Sequence, residues 1–131
     1  MKELSEELLS DVKVLIVDDS EITRIIIRKW LQYVGAQVEE SEDGKEAVEK
    51  CRANDFKVVL MDIQMPILDG LSATRQIREE GGVMPIIGIT AAPAEEFPTM
   101  QAAGMNSHFQ KPIDMRGLID LLVSIKQVPV N

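Results

Sequence analysis

The sequence predicts an α/β fold, a single doubly wound domain in which five parallel strands alternate with five helices. The first observation is that short β-rich runs alternate with segments of helical periodicity five times along the 131 residues. The second is that a helical segment separates each strand from the next, as the crossovers of a parallel sheet require. The third is that the apolar runs at residues 12–17, 57–61 and 85–89 are nearly continuous, which is typical of central strands covered on both faces.

The first half of the chain contains two strands and two helices. Residues 12–17 form the first strand, and the helical spacing of residues 21–34 stops at Gly35, a good helix-ending residue. The polar run at residues 37–41 is predicted to be an edge strand, and the turn after it leads into a helix at residues 45–53. On the first helix we assign one apolar stripe to the core: Ile26, Ile27, Trp30, Leu31 and Val34.

The second half contains three strands and three helices. The third strand ends at Asp62, and a loop leads from it into a helix at residues 71–80. Proline is tolerated only in the first turn of a helix, so the fourth helix starts at Pro98 and has little more than one turn before Gly104. An apolar stripe predicts the last helix at residues 115–127.

The two ends of the chain lie outside this pattern. We expect residues 1–11 to be an N-terminal leader or linker, residues 12–127 to be the domain and residues 128–131 to be a C-terminal tail. Three leucines at helical spacing make a short amphipathic helix possible in the leader, but about 11 residues are marginal for an isolated helix. A frayed leader or the remnant of a linker is the alternative.

Composition excludes several classes of function. A net charge of −8 argues against direct nucleic-acid binding, because a phosphate backbone needs a basic surface. No apolar stretch approaches the length of about 20 residues that spans a bilayer, so no membrane insertion is expected. The single Cys51 allows no internal disulfide and is expected to be a packed or half-exposed helix residue. Together these features predict a cytoplasmic protein.

Polar side chains follow four of the predicted strands at the point where each strand ends. Asp18 and Asp19 follow the first strand, Asp62 ends the third, Thr90 ends the fourth and Lys111 follows the fifth. Because the carboxyl ends of parallel strands share one edge of an open sheet, we expect these side chains to converge. Clustered carboxylates repel one another without a cation, and hard oxygen ligands suit Mg²⁺ together with a phosphoryl group.

The same residues, with their neighbours, identify a family resemblance. Residues 12–127 resemble the receiver domain of two-component response regulators in five motifs that occur in order and at family spacing. The runs at residues 61–66 and 103–106 look most like the receivers of hybrid histidine kinases. The resemblance implies a flavodoxin-like (βα)5 sheet with strand order 2-1-3-4-5. The motifs are Asp18-Asp19, Asp62 with Met65-Pro66, Asp69-Gly70, Thr90-Ala91 and Lys111-Pro112.

The resemblance also implies roles for the acidic residues. Asp62 would be the nucleophile that accepts a phosphoryl group from a phosphohistidine. Asp19 and Asp62 would bind Mg²⁺ directly, together with the backbone carbonyl of Gln64, and Asp18 would act through a water molecule. Lys111 would pair with an oxygen of the phosphoryl group as a mobile point charge.

A conformational switch is implied in the same way. Thr90 would move its hydroxyl toward the phosphoryl group, and Phe109 is assigned as the aromatic residue that changes rotamer with it. The Lys111-Pro112 bond would be cis. By contrast, Asp69-Gly70 is expected to shape the turn into the third helix, and His108 to be a strand residue with no catalytic part.

The expected partners are a histidine kinase, a histidine phosphotransfer protein, or both. Ile22 and Ile25 fall outside the assigned core stripe and form a candidate docking patch, unless the leader covers them. As an isolated module the chain would not be an enzyme beyond self-catalysed phosphoryl transfer and hydrolysis. Histidine kinase activity would require a longer hybrid kinase, and a free-standing receiver, a relay intermediate and a piece of a hybrid kinase all stay open.

Two other classes of function use similar groups. A Mg²⁺-dependent phosphatase with an aspartyl nucleophile wants a second acid two residues after the nucleophile, whereas Ser20 and Glu21 stand two residues after Asp18 and Asp19. A flavodoxin-like cofactor binder would need a Ser/Thr/Gly-rich phosphate loop after the first strand, which this sequence lacks.

Overall fold

A five-stranded parallel sheet forms the centre of the molecule. The computed structural model describes residues 4–127, and within them the strand order is β2-β1-β3-β4-β5. The predicted fold class and strand order are therefore confirmed, including the edge position of the polar second strand. The strands are β1 (Lys13–Val17), β2 (Gln37–Ser41), β3 (Val58–Asp62), β4 (Ile86–Thr90) and β5 (Ser107–Gln110).

Within residues 4–127, five α-helices cover both faces of this sheet. Buried side chains of α1 and α5 belong to one hydrophobic core, and those of α2, α3 and α4 belong to the other. Because β1, β3 and β4 contribute to both cores, their side chains are buried on either face and explain the nearly continuous apolar runs. The helices are α1 (Glu21–Tyr33), α2 (Gly44–Ala53), α3 (Gly70–Glu79), α4 (Phe97–Ala103) and α5 (Met115–Gln127).

Short polar side chains start the first three helices. Ser20, Asp43 and Asp69 each occupy the N-cap and accept a hydrogen bond from the backbone N–H three residues later. Such caps satisfy a backbone donor that has no partner within the helix. They also set the direction in which the chain leaves the carboxyl edge of the sheet after β1 and β3.

The fourth helix is short, as predicted. A 3₁₀ turn at Ala94–Glu96 precedes α4, which has 7 residues and places Pro98 in its first turn. The helix ends at Gly104, which adopts a left-handed conformation with φ of 116°. A side chain larger than hydrogen would be strained there, so glycine fixes this end of the helix.

The core stripe predicted on α1 is correct except at Ile26. Ile27, Leu31 and Val34 are buried, whereas the side chain of Ile26 is 50% exposed. Successive residues of a helix differ in direction by about 100°, so a residue next to Ile27 can lie beyond the edge of the buried face. The assignment of Ile26 to the core was therefore wrong, and Ile26 is instead an exposed apolar residue of α1.

The described part of the N-terminal segment, residues 4–11, packs on the domain and contains turns rather than an α-helix. Residues 6–11 form consecutive turns. Leu9 is fully buried, and its N–H donates to the carbonyl of Val34 at 2.8 Å. Residues 1–3 and the tail at residues 128–131 lie outside the described residues. Within residues 4–127, no helix is both long and apolar enough to cross a membrane.

Candidate functional site

The predicted residues come together at the carboxyl edge of the sheet. Asp62 and Thr90 are the last residues of β3 and β4, Asp18 follows β1 directly, and Lys111 follows β5. Carboxylate oxygens of Asp18, Asp19 and Asp62 all lie within 4.8 Å of one another. Three acids and one amine therefore share a small volume next to the hydroxyl-bearing end of β4.

The turn between β1 and α1 presents two acids in different environments. The carboxylate of Asp18 is 2% exposed, and its Oδ1 accepts a hydrogen bond from the N–H of Ser20 at 2.8 Å. Its Oδ2 is also buried and faces the ammonium of Lys111. Asp19, by contrast, is exposed to solvent. A buried carboxylate is costly unless a positive charge compensates it, so this site is suited to cations.

Lys111 supplies one such charge. Its Nζ lies 3.2 Å from Oδ2 of Asp18 and 3.5 Å from Oδ1 of Asp62. Burial disfavours the charged amine, but the two carboxylates outweigh burial and raise the pKa of Lys111. The Lys111-Pro112 bond is cis, as the resemblance implied, and the backbone N–H of Lys111 donates to the carbonyl of Thr90 at 2.7 Å.

One ammonium group does not neutralise the whole cluster. Burial and the nearby charge of Asp18 raise the pKa of Asp62 from 3.8 to about 6, and Asp19 acts in the same direction. Lys111 and a hydrogen bond from the backbone N–H of Gln64 lower the pKa of Asp62, but by less than burial and the other acids raise it. The ionised carboxylate of Asp62 is therefore repelled by the other two acids, and a further cation would reduce this repulsion.

Asp69 and Gly70 shape the turn that follows the acceptor strand. Asp69 caps α3 through Ser72, so its predicted turn-forming role is confirmed. The N–H of Gly70 donates to the carbonyl of Ile63 at 2.8 Å. A Cβ added to Gly70 would lie 2.0 Å from the backbone oxygen of Asp62, far inside contact distance. Only glycine allows α3 to start this close to Asp62.

Thr90 and Phe109 lie on opposite faces of the sheet. Thr90 is 3% exposed, and its Oγ1 accepts a hydrogen bond from the N–H of Ala92 at 2.9 Å. Side chains alternate along a strand, so Thr90 shares the α2–α3–α4 face with Ile86, whereas Phe109 packs in the α1–α5 core. This placement argues against the coupled movement that was expected for Thr90 and Phe109.

His108 is the aromatic residue of β5 on the same face as Thr90. Its ring stacks on Phe97 of α4, with ring centroids 4.5 Å apart and planes inclined by 25°. The sequence interpretation gave this histidine only a strand role. Thr90 pairs with Gln110, and side chains alternate along a strand, so the residue two positions before Gln110 lies on the same face as Thr90. That residue is His108, and this pairing and alternation are the signal that identifies it.

The cluster suits a divalent cation on chemical grounds. Carboxylate oxygens are the hard ligands that Mg²⁺ prefers, and Mg²⁺ usually keeps water and phosphate oxygens in its other positions. Asp18, Asp19 and Asp62 are the one such group of acids in the part of the chain that the structure describes. Gln64, whose carbonyl was the fourth predicted ligand, follows Asp62 by two residues and donates its N–H to that carboxylate.

Comparisons with known proteins agree on one family. The sequence model of the response regulator receiver domain matches residues 14–123. Two-component response regulator 24 of Arabidopsis thaliana is 35% identical over 115 residues, which cover 86% of this chain and 83% of that protein. The sensor histidine kinase RcsC of Escherichia coli is 37% identical over 106 residues, which cover 80% of this chain and 11% of that kinase. The chain thus spans only about a tenth of the length of such sensor kinases.

Solved structures give the same result. The receiver domain of the sensor histidine kinase PA1611 from Pseudomonas aeruginosa, which holds a magnesium ion in its active site cleft, has a TM-score of 0.81 at 34% identity, and the match covers 88% of this chain and 98% of that one. The chemotaxis protein CheY4 of Vibrio cholerae has a TM-score of 0.80 at 30% identity, over 87% of this chain and 98% of that one. These matches favour a receiver over the phosphatase and the flavin-binding alternatives. The chain belongs to the response regulator receiver domain family of two-component systems.

Proposed function

We propose that the chain accepts a phosphoryl group from a phosphohistidine onto Asp62 and passes the signal on through a conformational change. One observation supports this most strongly. The buried carboxylate of Asp62 lies within 4.8 Å of two further acids and 3.5 Å from the ammonium of Lys111. An ordinary structural acid would not need this arrangement, whereas an acceptor of a phosphoryl group does.

Mg²⁺ is the cofactor that we propose for this site. Asp19, Asp62 and the backbone carbonyl of Gln64 would hold the ion directly, and Asp18 would contact it through water. When bound, Mg²⁺ supplies positive charge to the oxygens of the transferred phosphoryl group. The crowding of the acids supports this assignment, because three carboxylates lie within 4.8 Å of one another and the ammonium of Lys111 alone does not neutralise them.

The chain's own groups account for the chemistry of transfer. A carboxylate oxygen of Asp62 forms the new O–P bond while the N–P bond of the phosphohistidine breaks and its electron pair returns to the imidazole nitrogen. Lys111, already 3.5 Å from Asp62, would pair with an oxygen of the incoming group. The hydroxyl of Thr90 would leave the N–H of Ala92 and move toward the phosphoryl group. Hydrolysis of the aspartyl phosphate, or transfer to a second histidine, ends the cycle.

The partner would be a histidine kinase or a histidine phosphotransfer protein that docks on α1. Ile22 is 71% exposed and Ile26, one turn further, is 50% exposed, so the two form a small apolar patch beside the carboxyl edge. Ile25, the second residue predicted for docking, is half-buried and therefore less accessible to a partner than Ile22 and Ile26. Lys29 is exposed on the same helix and would favour an acidic partner surface.

A direct experiment tests the dependence on the metal. The protein is incubated with acetyl phosphate and Mg²⁺, and its intact mass is compared with that of a sample in which a chelator has removed the metal. We expect a gain of one phosphoryl group that requires Mg²⁺. Equal labelling in the presence of the chelator, or no labelling in either sample, would contradict the proposed function.

A further inference from the structure

We propose that Arg24 is a positioning residue that holds the two acids of the β1–α1 turn in place for the metal. The proposal rests on the proposed function of that site. Arg24 lies in the first part of α1, and its Nη1 donates to the backbone carbonyl of Asp18 at 2.6 Å. Its backbone N–H donates to the carbonyl of Ser20 at 3.1 Å. The second contact is the first backbone hydrogen bond of α1, so the specific contribution of the arginine is the bond from its guanidinium to the carbonyl that precedes Asp19.

A second strand anchors the guanidinium of Arg24. Its Nε lies 3.1 Å from Oε1 of Glu40 on β2, and the side chain of Arg24 is only 13% exposed. The other oxygen of Glu40 pairs with Arg28, at 2.5 Å from Nη1. Lys50 of α2 donates to the backbone carbonyl of Glu40. Three cations from two helices thus fix the end of β2, and one of them extends the contact to Asp18.

The geometry requires an arginine. The planar guanidinium donates from Nε to a carboxylate and from Nη1 to a carbonyl at the same time, in a fixed relative direction. A lysine ammonium is a point charge on a flexible stem and cannot reproduce both contacts in that orientation. The bonds are charge-assisted, which makes them stronger than those between neutral groups. Arg24 is therefore suited to set the position of a backbone segment.

Repulsion between the acids of the site explains why the β1–α1 turn needs a contact that fixes its backbone. Asp18, Asp19 and Asp62 repel one another within 4.8 Å, and this repulsion acts on the turn that carries the first two. If the carbonyl of Asp18 moved, its carboxylate and that of Asp19 would move apart from Asp62. A bond from Arg24 to the backbone opposes this movement and leaves the carboxylate oxygens free for a cation. Residues that orient metal ligands in this way change metal affinity by about 10- to 100-fold when they are replaced.

Arg28 provides a matched control within the same network. Both arginines are residues of α1 that form an ion pair with Glu40, but of the two only Arg24, which is the more buried, donates to the backbone of Asp18. A purely structural role, that of linking α1 to β2, predicts similar effects for the two residues. A positioning role predicts that only Arg24 affects the binding of metal.

The test compares Arg24→Met, Arg24→Lys and Arg28→Met by calorimetric titration of each folded protein with Mg²⁺. We expect Mg²⁺ affinity to fall roughly tenfold in Arg24→Met, to be only partly restored in Arg24→Lys, and to change less than about twofold in Arg28→Met. Unchanged affinity in Arg24→Met, or an equal loss in Arg28→Met, would overturn the proposal. Wild-type protein that does not bind Mg²⁺ would instead overturn the proposed function.

A second variant covers the case in which Arg24→Met does not fold. Glu40→Gln removes the anchor of the guanidinium but keeps the hydrogen bond from Arg24 to the carbonyl of Asp18 sterically possible. We expect Glu40→Gln to weaken Mg²⁺ binding more than Arg28→Met does. Equal affinities of these two variants would contradict the positioning role.

Discussion

Replacing Asp62 with asparagine should stabilise the metal-free protein at high pH. Burial and Asp18 raise the pKa of Asp62 from 3.8 to about 6, so the folded state binds the proton more tightly than the unfolded state does. The ionised carboxylate therefore destabilises the fold above about pH 6, and this effect vanishes below pH 3.8. The stability of the fold therefore falls as the pH rises through this range, whereas an acid in a favourable ion pair makes it rise.

The magnitude follows from the same values. At about 1.4 kcal/mol per pH unit, the difference between 3.8 and about 6 corresponds to roughly 3 kcal/mol. This value already includes the favourable 3.5 Å contact with Lys111, and solvent screening at the site reduces it further. We therefore expect Asp62→Asn to raise the free energy of unfolding by about 1–3 kcal/mol at pH 8 and by close to zero near pH 3.5.

Urea unfolding of the metal-free protein at several pH values measures this directly. Asp55→Asn is a suitable control, since Asp55 is exposed before β3, at the opposite edge of the sheet, and carries the same charge. We expect the control to change stability by less than about 0.5 kcal/mol at either pH. If Asp62→Asn is no more stable than wild type at pH 8 while remaining folded, the argument from repulsion is wrong.

Three further predictions follow from the site and its surroundings. Asp19→Asn should weaken Mg²⁺ binding at least about tenfold by titration and nearly abolish labelling by acetyl phosphate; an unchanged titration would exclude Asp19 as a ligand. Gly70→Ala, whose Cβ would lie 2.0 Å from the backbone oxygen of Asp62, should cost about 1–3 kcal/mol in urea unfolding and slow labelling; wild-type stability would mean that the turn yields easily. Ile22→Asp should slow transfer from a phosphohistidine protein and leave labelling by acetyl phosphate intact, whereas Val83→Asp, at a 91% exposed position, should change neither; equal slowing of both reactions by Ile22→Asp would show that Ile22 supports the fold.

Sequence reasoning located the site because parallel strands deliver their last residues to one edge. Asp18, Asp62, Thr90 and Lys111 each stand at such an end, and no tertiary detail was needed to expect them together. The short fourth helix was equally predictable, because the restrictions on proline and glycine are local.

Two kinds of structural information could not be predicted from the sequence. The first is side-chain direction at the margins of elements, where a single step along a strand or helix changes the face; Ile26 and Phe109 were misjudged for this reason. The second is contact between side chains and distant backbone. The bonds of Arg24 to Asp18 and to Glu40 on β2 depend on how strand and helix pack, and composition showed only three basic residues on one helix.

The most direct test of the account is to locate the phosphoryl group. The protein is labelled by a phosphohistidine donor in the presence of Mg²⁺, and intact mass and peptide mapping are compared for wild type, Asp62→Asn and Asp55→Asn. We expect one phosphoryl group on the peptide that contains Asp62 in wild type and in Asp55→Asn, and none in Asp62→Asn. A gain in mass that survives in Asp62→Asn would contradict the assignment of Asp62 as the acceptor.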